Sequence, residues 1–110
     1  MAGDRAEAYP ELIDLAQEAS RELLALPLPV RERFFESFPE LAAHPTRKTL
    51  DLDVQNLHDR RGRKTRYWRL KVPGGYRGIY RVVQGRVHIE AFRPRPTVYP
   101  WLYKILARQQ

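Results

Sequence analysis

Residues 67–82 read YWRLKVPGGYRGIYRV. Apolar and polar residues alternate on either side of Pro73-Gly74-Gly75, as in strands joined by a tight turn. The reading predicts strands over 67–72 and 76–83. Gln84-Gly85 then turns the chain into a third strand over 86–92, completing an antiparallel meander. Alternate side chains point to opposite faces of a sheet. Trp68, Leu70 and Val72 therefore share a face with Gly78, Tyr80 and Val82, and that apolar set is the core side. Tyr67, Arg69 and Lys71 lie on the other face with Arg77, Ile79 and Arg81. Neighbouring strands run about 4.8 Å apart, so Arg69, Lys71 and Arg77 form one cluster. Strands this rich in aromatic and branched residues are at least half buried, and a buried arginine needs an anion.

Upstream, the pattern turns helical. Leu12, Leu15, Ala16, Ala19, Leu23 and Leu26 fit a helical stripe, although residues 11–15 (ELIDL) also read as a short strand leading into a helix from about Gln17. Pro27-Leu28-Pro29 ends this helix and opens a second, whose buried stripe is Val30, Phe34, Phe38 and Leu41. The two pair as an antiparallel hairpin. Pro39 removes a backbone donor, and Ser37 and Glu40 have capping-box spacing, so a kink or restarted turn is expected at 37–39. Residues 49–54 (TLDLDV) read as a short extra strand, and 58–66 as a loop with five lysines or arginines, one histidine and one acid. Residues 96–109 carry Val98, Leu102, Ile105 and Leu106 at helical spacing. Helices followed by a meander give an α+β domain with helices on one face of the sheet.

The 110 residues fit a single domain, with 1–10 expected to be flexible. There is no cysteine, which excludes disulfides and thiolate metal sites. No apolar stretch reaches the roughly 18 residues of a membrane span. The polar, acidic start does not resemble a secretory signal, so a cytoplasmic protein is expected. The net charge of +7 is unevenly spread. Residues 1–59 hold twelve acidic and six basic side chains, whereas 60–110 hold fourteen basic and one acidic, Glu90. Either acids of the first half fold over the strand arginines, or their partner is an external polyanion. Tyr67, Tyr76, Phe92 and Tyr99 among those cations would stack unpaired bases, as in grips on single-stranded RNA.

YWRLKVPGGYRGIYRV and the later FRPRPTVY (92–99) together resemble the RelE/ParE family of toxins from toxin–antitoxin modules. The pattern is a basic, aromatic strand, a glycine turn, Tyr-Arg-x-x-Tyr, and an arginine shortly before a tyrosine near the C-terminus. LPLPVRERFFESFPELAAHP (26–45) is similar to the family's second helix. The resemblance favours residues 11–15 as the first strand. It implies an α+β fold: a two-helix antiparallel hairpin on one face of a small, mostly antiparallel sheet, made of an N-terminal strand and a three-stranded meander, with a short C-terminal helix.

The RelE branch of this resemblance implies an endoribonuclease, an mRNA interferase that cuts mRNA on the ribosome and inhibits translation. It needs no metal and no cofactor, and its resting partner is a cognate antitoxin. Carried over, Arg69 and Lys71 are the basic pair of the first meander strand, and Arg77 the arginine that stabilises the phosphorane. Arg93 would protonate the leaving oxygen, and Tyr99 would orient the nucleophile and stack on a base. Arg60, Arg61, Arg63, Lys64, Arg66 and Arg81 are expected RNA contacts, Arg81 alternatively an antitoxin contact. His88 and Glu90, alternating on the last strand, are expected to form a surface pair. Two alternatives stand beside this one. One is a gyrase inhibitor of the ParE branch without nuclease activity; the other is a non-catalytic RNA-binding relic of the fold.

Overall fold

The structure, a computed structural model, describes residues 13–109; the expected flexibility of 1–10 lies outside them. Strand β1 (Ile13–Leu15) runs into helix α1 (Gln17–Ala25), and α2 (Leu28–Ala43) follows. Strands β2 (Asp53–His58), β3 (Lys64–Lys71), β4 (Tyr76–Val83) and β5 (Arg86–Pro94) come next. A 3-10 turn (Arg95–Thr97) leads into α3 (Val98–Arg108). The five strands form one sheet in the order β1-β5-β4-β3-β2. All neighbours are antiparallel except β1, which pairs parallel with β5 from Ile13↔Val87 to Leu15↔Ile89. The Ala16 N–H donates to the Ile89 carbonyl at 2.9 Å, so the first helix starts where the parallel ladder stops. Among the described residues no helix is long and apolar enough to cross a membrane.

The helical hairpin covers one face. Val30, Phe34, Phe38 and Leu41 are all buried, as their spacing predicts, against Leu70, Val72, Tyr80, Val87, Ile89 and Phe92. Tyr80 is fully enclosed and its hydroxyl donates to the Pro45 carbonyl at 2.5 Å. The expected break at 37–39 does not occur: α2 is continuous through Pro39. Ser37 caps nothing; its Oγ donates to the Arg33 carbonyl one turn back at 2.8 Å. Pro39 sits on the exposed side, while Phe38 and Leu41 on either side of it are anchored in the core. Their burial outweighs the roughly 3 kcal/mol a helical proline costs.

The expectation of helices on one face alone is corrected at the C-terminus. Helix α3 crosses the opposite face, setting Val98 and Leu102 on Leu57, Tyr67, Ile79 and Ala91 in a second core. A bulge makes both cores possible. Ile79 pairs with Ala91 but Tyr80 with Ile89, so Glu90 is the extra residue on β5. The slip puts Ala91 under α3 and the adjacent Phe92 under α2.

The extra strand is also displaced. Thr49 and Leu52 make only an isolated bridge, and β2 covers Asp53–His58. It pairs along β3 to His58↔Lys64, with a bulge on the way. Asn56 Nδ2 donates to the carbonyls of Thr65 and Tyr67 (2.8 and 3.1 Å), and Thr65 Oγ1 to that of Leu57 (2.7 Å). The basic loop is thereby shortened to a tight turn at 59–63, with Lys64 and Arg66 on a strand.

Tight turns close the meander. Gln84 (φ 52°) and Gly85 (φ 78°) take the positive-φ pair that a two-residue hairpin needs. Gly74 is doubly constrained. Its φ is +115°, and a Cβ there would lie 2.7 Å from Val30 Cγ2 on α2. Gly74→Ala is expected to cost about 1–3 kcal/mol, lowering the melting midpoint by about 5 °C or more. Gly75→Ala, at φ +83° but with open space around it, should cost less. A Gly74→Ala protein melting with the wild type would contradict the packing of the turn on α2.

Candidate functional site

The register of the meander sets Lys71 beside Arg77 and Arg77 beside Arg93, in a row across β3, β4 and β5. Arg69 stands two residues along β3 from Lys71, opposite Ile79. This is the face opposite the helical hairpin, as the alternation predicts. The partners of these arginines separate them into two kinds.

Most are neutralised by acids from the first half of the chain. Arg69 donates to the Asp53 carboxylate (3.2 Å) and carbonyl (3.3 Å) and to Gln55 Oε1 (2.6 Å), all on the edge strand β2. Burial pushes the Asp53 carboxyl up, but the Arg69 hydrogen bond and the charges of Arg69, Lys48 and Lys71 together hold it below its usual range. Arg86 pairs with Asp14 at 2.7 Å, and His88 reaches the same carboxylate at 3.3 Å. Arg81 pairs with Glu90 at 2.6 Å, so the expected His88–Glu90 surface pair does not form. The bulge takes Glu90 out of register, and each of the two residues finds another partner. Arg93 turns to α1, pairing with Glu18 (2.9 Å) and Glu22 (3.0 Å). Glu22 also accepts the Phe92 N–H at 3.1 Å, beyond the end of the short β1. Burial raises the Glu22 carboxyl above its usual value, against the opposing pull of that N–H and of Arg93. Arg93 thus shares the row by its backbone, while its guanidinium is held at the sheet edge.

Arg77 is the exception. It is only 8 % exposed, and its guanidinium donates to the carbonyl of Tyr76 at 3.0 Å. No carboxylate among the described residues pairs with it. Burial first, then the charges of Arg69 and Arg95, hold it below the ordinary arginine value, with Asp53 a weaker opposing influence. A buried, positively surrounded guanidinium is the arrangement an external anion would relieve. Lys71 is exposed at one end of the row and borders a small hollow lined by Glu36, Glu40 and Asp51.

The sequence reading did not single out Arg95. It is exposed at the start of the 3-10 turn, and its N–H donates to the Gly75 carbonyl at 2.9 Å. That bond ties it to the turn entering β4, close enough for its charge to reach Arg77. Its place two residues after Arg93 in FRPRP was the available sign. Tyr99, in the first turn of α3, is 43 % exposed.

The other expected RNA contacts and aromatics are distributed unevenly. Tyr67 and Phe92 are buried and offer no free ring face for a base. Tyr67 meets Trp101 edge-on, and its hydroxyl accepts from Gln109. Arg63 is engaged by Asp59, whose carboxylate accepts the N–H groups of Arg61 and Arg63 and the Arg63 Nε. Together with Arg63, the cations Arg60, Arg61, Lys64 and Arg66 line an open groove of about 690 Å³ between the β2–β3 turn and α3.

No protein-family model matches the sequence, and no curated protein matches it. Solved structures do. The chain is similar to a RelB–RelE antitoxin–toxin complex from Methanococcus jannaschii, with a TM-score of 0.63 and 19% identity over 81% of this chain and 98% of that one. It is similar to an archaeal RelE–RelB complex from Pyrococcus horikoshii OT3, with a TM-score of 0.59 and 25% identity over 76% and 92%. The RelBE2 toxin–antitoxin complex of Mycobacterium tuberculosis matches at a TM-score of 0.59 and 21% identity over 76% and 95%. The matches span nearly the whole of each compared chain and share the mixed sheet flanked by a helical hairpin and a C-terminal helix. By fold, the chain stands with the RelE-like toxins.

Proposed function

We propose that the chain is the toxin of a toxin–antitoxin pair and an endoribonuclease that cuts mRNA on the ribosome without a metal. One observation carries this reading: Arg77, buried and with no acid partner among the described residues, lies beside further cations, whereas the strand arginines Arg69, Arg81, Arg86 and Arg93 are each acid-paired. In the proposed reaction a ribose 2′-oxygen attacks the adjacent phosphorus and the P–O5′ bond breaks. The products are a 2′,3′-cyclic phosphate and a 5′-hydroxyl. The crowded phosphorane carries added negative charge, which Arg77, with Arg69 held flat by Asp53 and Gln55, stabilises electrostatically. Lys71 is the assigned base for the 2′-proton. Arginine is a poor acid, and Arg93 would have to leave Glu18 and Glu22 before it protonated the departing oxygen. Tyr99 is assigned to stack on a base beside the scissile bond. The resting partner is an antitoxin whose acidic groups cover the same cations.

The Arg93 clamp favours the non-nuclease alternatives, a gyrase inhibitor or an RNA-binding relic, because it takes one member of the expected set away from the row. Expression in cells with mapping of mRNA 5′ ends separates them. New ends phased with codons in translated messages are expected. Intact messages with gyrase-linked DNA breaks would favour the gyrase reading, and no toxicity would favour the relic.

A further inference from the structure

A second basic surface lies in the groove between the β2–β3 turn and α3, at the opposite end of β3 from the Lys71–Arg77 pair. Its rim carries Arg60, Arg61, Lys64 and Arg66, and its floor is Tyr103, Leu106 and Ala107 on α3. None of these four cations is ion-paired among the described residues. The one acid lining the groove, Asp59, is consumed inside the turn by Arg61 and Arg63 N–H groups and the Arg63 guanidinium. That clamp, with Gly62 at φ +77°, holds the turn in one shape and keeps its remaining cations presented. The Arg60 guanidinium lies over the Tyr103 ring, 4.5 Å from its centroid. Tyr103 in turn meets Tyr99 one turn earlier on α3, centroids 5.7 Å apart. The Tyr99–Tyr103 contact therefore joins the exposed ring of Tyr99, four residues after Arg95, to the half-buried ring of Tyr103 at the groove.

Resting on the RNA-cleaving reading, the geometry points to a flanking-strand site: the groove holds single-stranded RNA nucleotides adjoining the scissile phosphate, with a base stacked on Tyr103. An aromatic face supplies stacking that tolerates any base, and a lining of unpaired cations follows the phosphates. Arg60 already occupies that ring in the manner of a base plane, and it moves to a phosphate when a base enters. A duplex presents no free base face, so the groove discriminates strandedness rather than sequence. An acidic protein segment would use the cations but has no need of the Tyr99–Tyr103 track, which is why RNA is the favoured occupant.

The test measures binding of a short fluorescein-labelled single strand of 2′-O-methyl RNA, which lacks the attacking hydroxyl, and of the same strand annealed to its complement. Tyr103→Ala is expected to weaken the single strand about tenfold and the duplex little, and Tyr103→Trp to restore binding. The triple variant Arg60→Ala, Arg61→Ala, Lys64→Ala is expected to lower the slope of log affinity against log salt by about 2. The proposal is overturned if Tyr103→Ala binds the single strand like the wild type, or loses both forms equally. It is also overturned if polyglutamate binds more tightly than RNA and its binding is what Tyr103→Ala removes; the groove is then a protein-docking site. Because the strand is uncleavable, failure of the nuclease reading at Arg77 leaves these results distinct.

Discussion

Arg77→Ala is expected to abolish cleavage of translated mRNA, by at least about 100-fold, while the chain stays folded. The size follows from what the guanidinium does in the proposed transition state. A fixed cation at 8 % exposure faces a developing negative charge across little water, where one preorganised donor contributes far more than it would in solvent. The stability expectation follows from the same burial. The side chain is off the main core but enclosed, next to Arg69 and Arg95, and its recorded hydrogen bond goes to the neighbouring Tyr76 carbonyl. Truncation relieves like-charge repulsion and a desolvated cation, against the loss of that bond and some packing. The net change should stay within about 1 kcal/mol. Arg77→Lys keeps the charge but loses the planar fork, so it should recover part of the rate. Primer extension on translated messages, with thermal melts of the same proteins, checks both halves. Wild-type cutting by Arg77→Ala would remove the site. Loss of cutting together with loss of fold would reassign Arg77 to structure.

Phe34→Ala should produce the largest loss of stability, about 3–5 kcal/mol. Phe34 has 0 % exposure and joins the helical hairpin to the centre of the sheet. Its ring meets Phe92 edge-to-face, with centroids 4.8 Å apart and planes at 70°. Gly78 lies beneath it on β4, where a Cβ would already be 3.4 Å from both Phe34 and Phe92. The ring therefore fills a space that the glycine leaves open, and α2 cannot settle into it because Phe38 and Leu41 hold the helix at its present height. Since single domains have only about 5–15 kcal/mol in total, the variant would be partly unfolded at physiological temperature. Urea titration should show a lower midpoint at an unchanged slope. A loss below about 1 kcal/mol would mean that the hairpin is not packed on the sheet as described.

Local periodicity made much of the frame legible. The stripe of Val30, Phe34, Phe38 and Leu41 repeats with the helix, and the bounds of β4 follow from glycine turns on either side. The edge strand β2 falls at Asp53–His58 rather than at the expected 49–54 because its pairing comes from β3 and from Asn56 and Thr65 bonds to the partner backbone, not from local alternation. A helix at 96–109 was legible, but not the face it covers, because that depends on the Glu90 bulge exposing Ala91 beneath it. The Pro39 break was overestimated because a local backbone cost was weighed without the packing on either side.

The candidate site divides in the same way. Strand alternation alone places Arg69, Lys71 and Arg77 on one face, and the charge count alone shows that nearby residues cannot neutralise them. Which arginine is compensated was a tertiary matter. Asp53, Asp14 and the Glu18–Glu22 pair lie far along the chain from Arg69, Arg86 and Arg93, and only the folding of β1, α1 and β2 around the meander brings them within hydrogen-bond reach. Side-chain direction is set by neighbouring residues, whereas ion pairing is set by whatever distant segment packs alongside. Folding satisfied Arg69, Arg81, Arg86 and Arg93, and left Arg77 buried with no acid partner among the described residues.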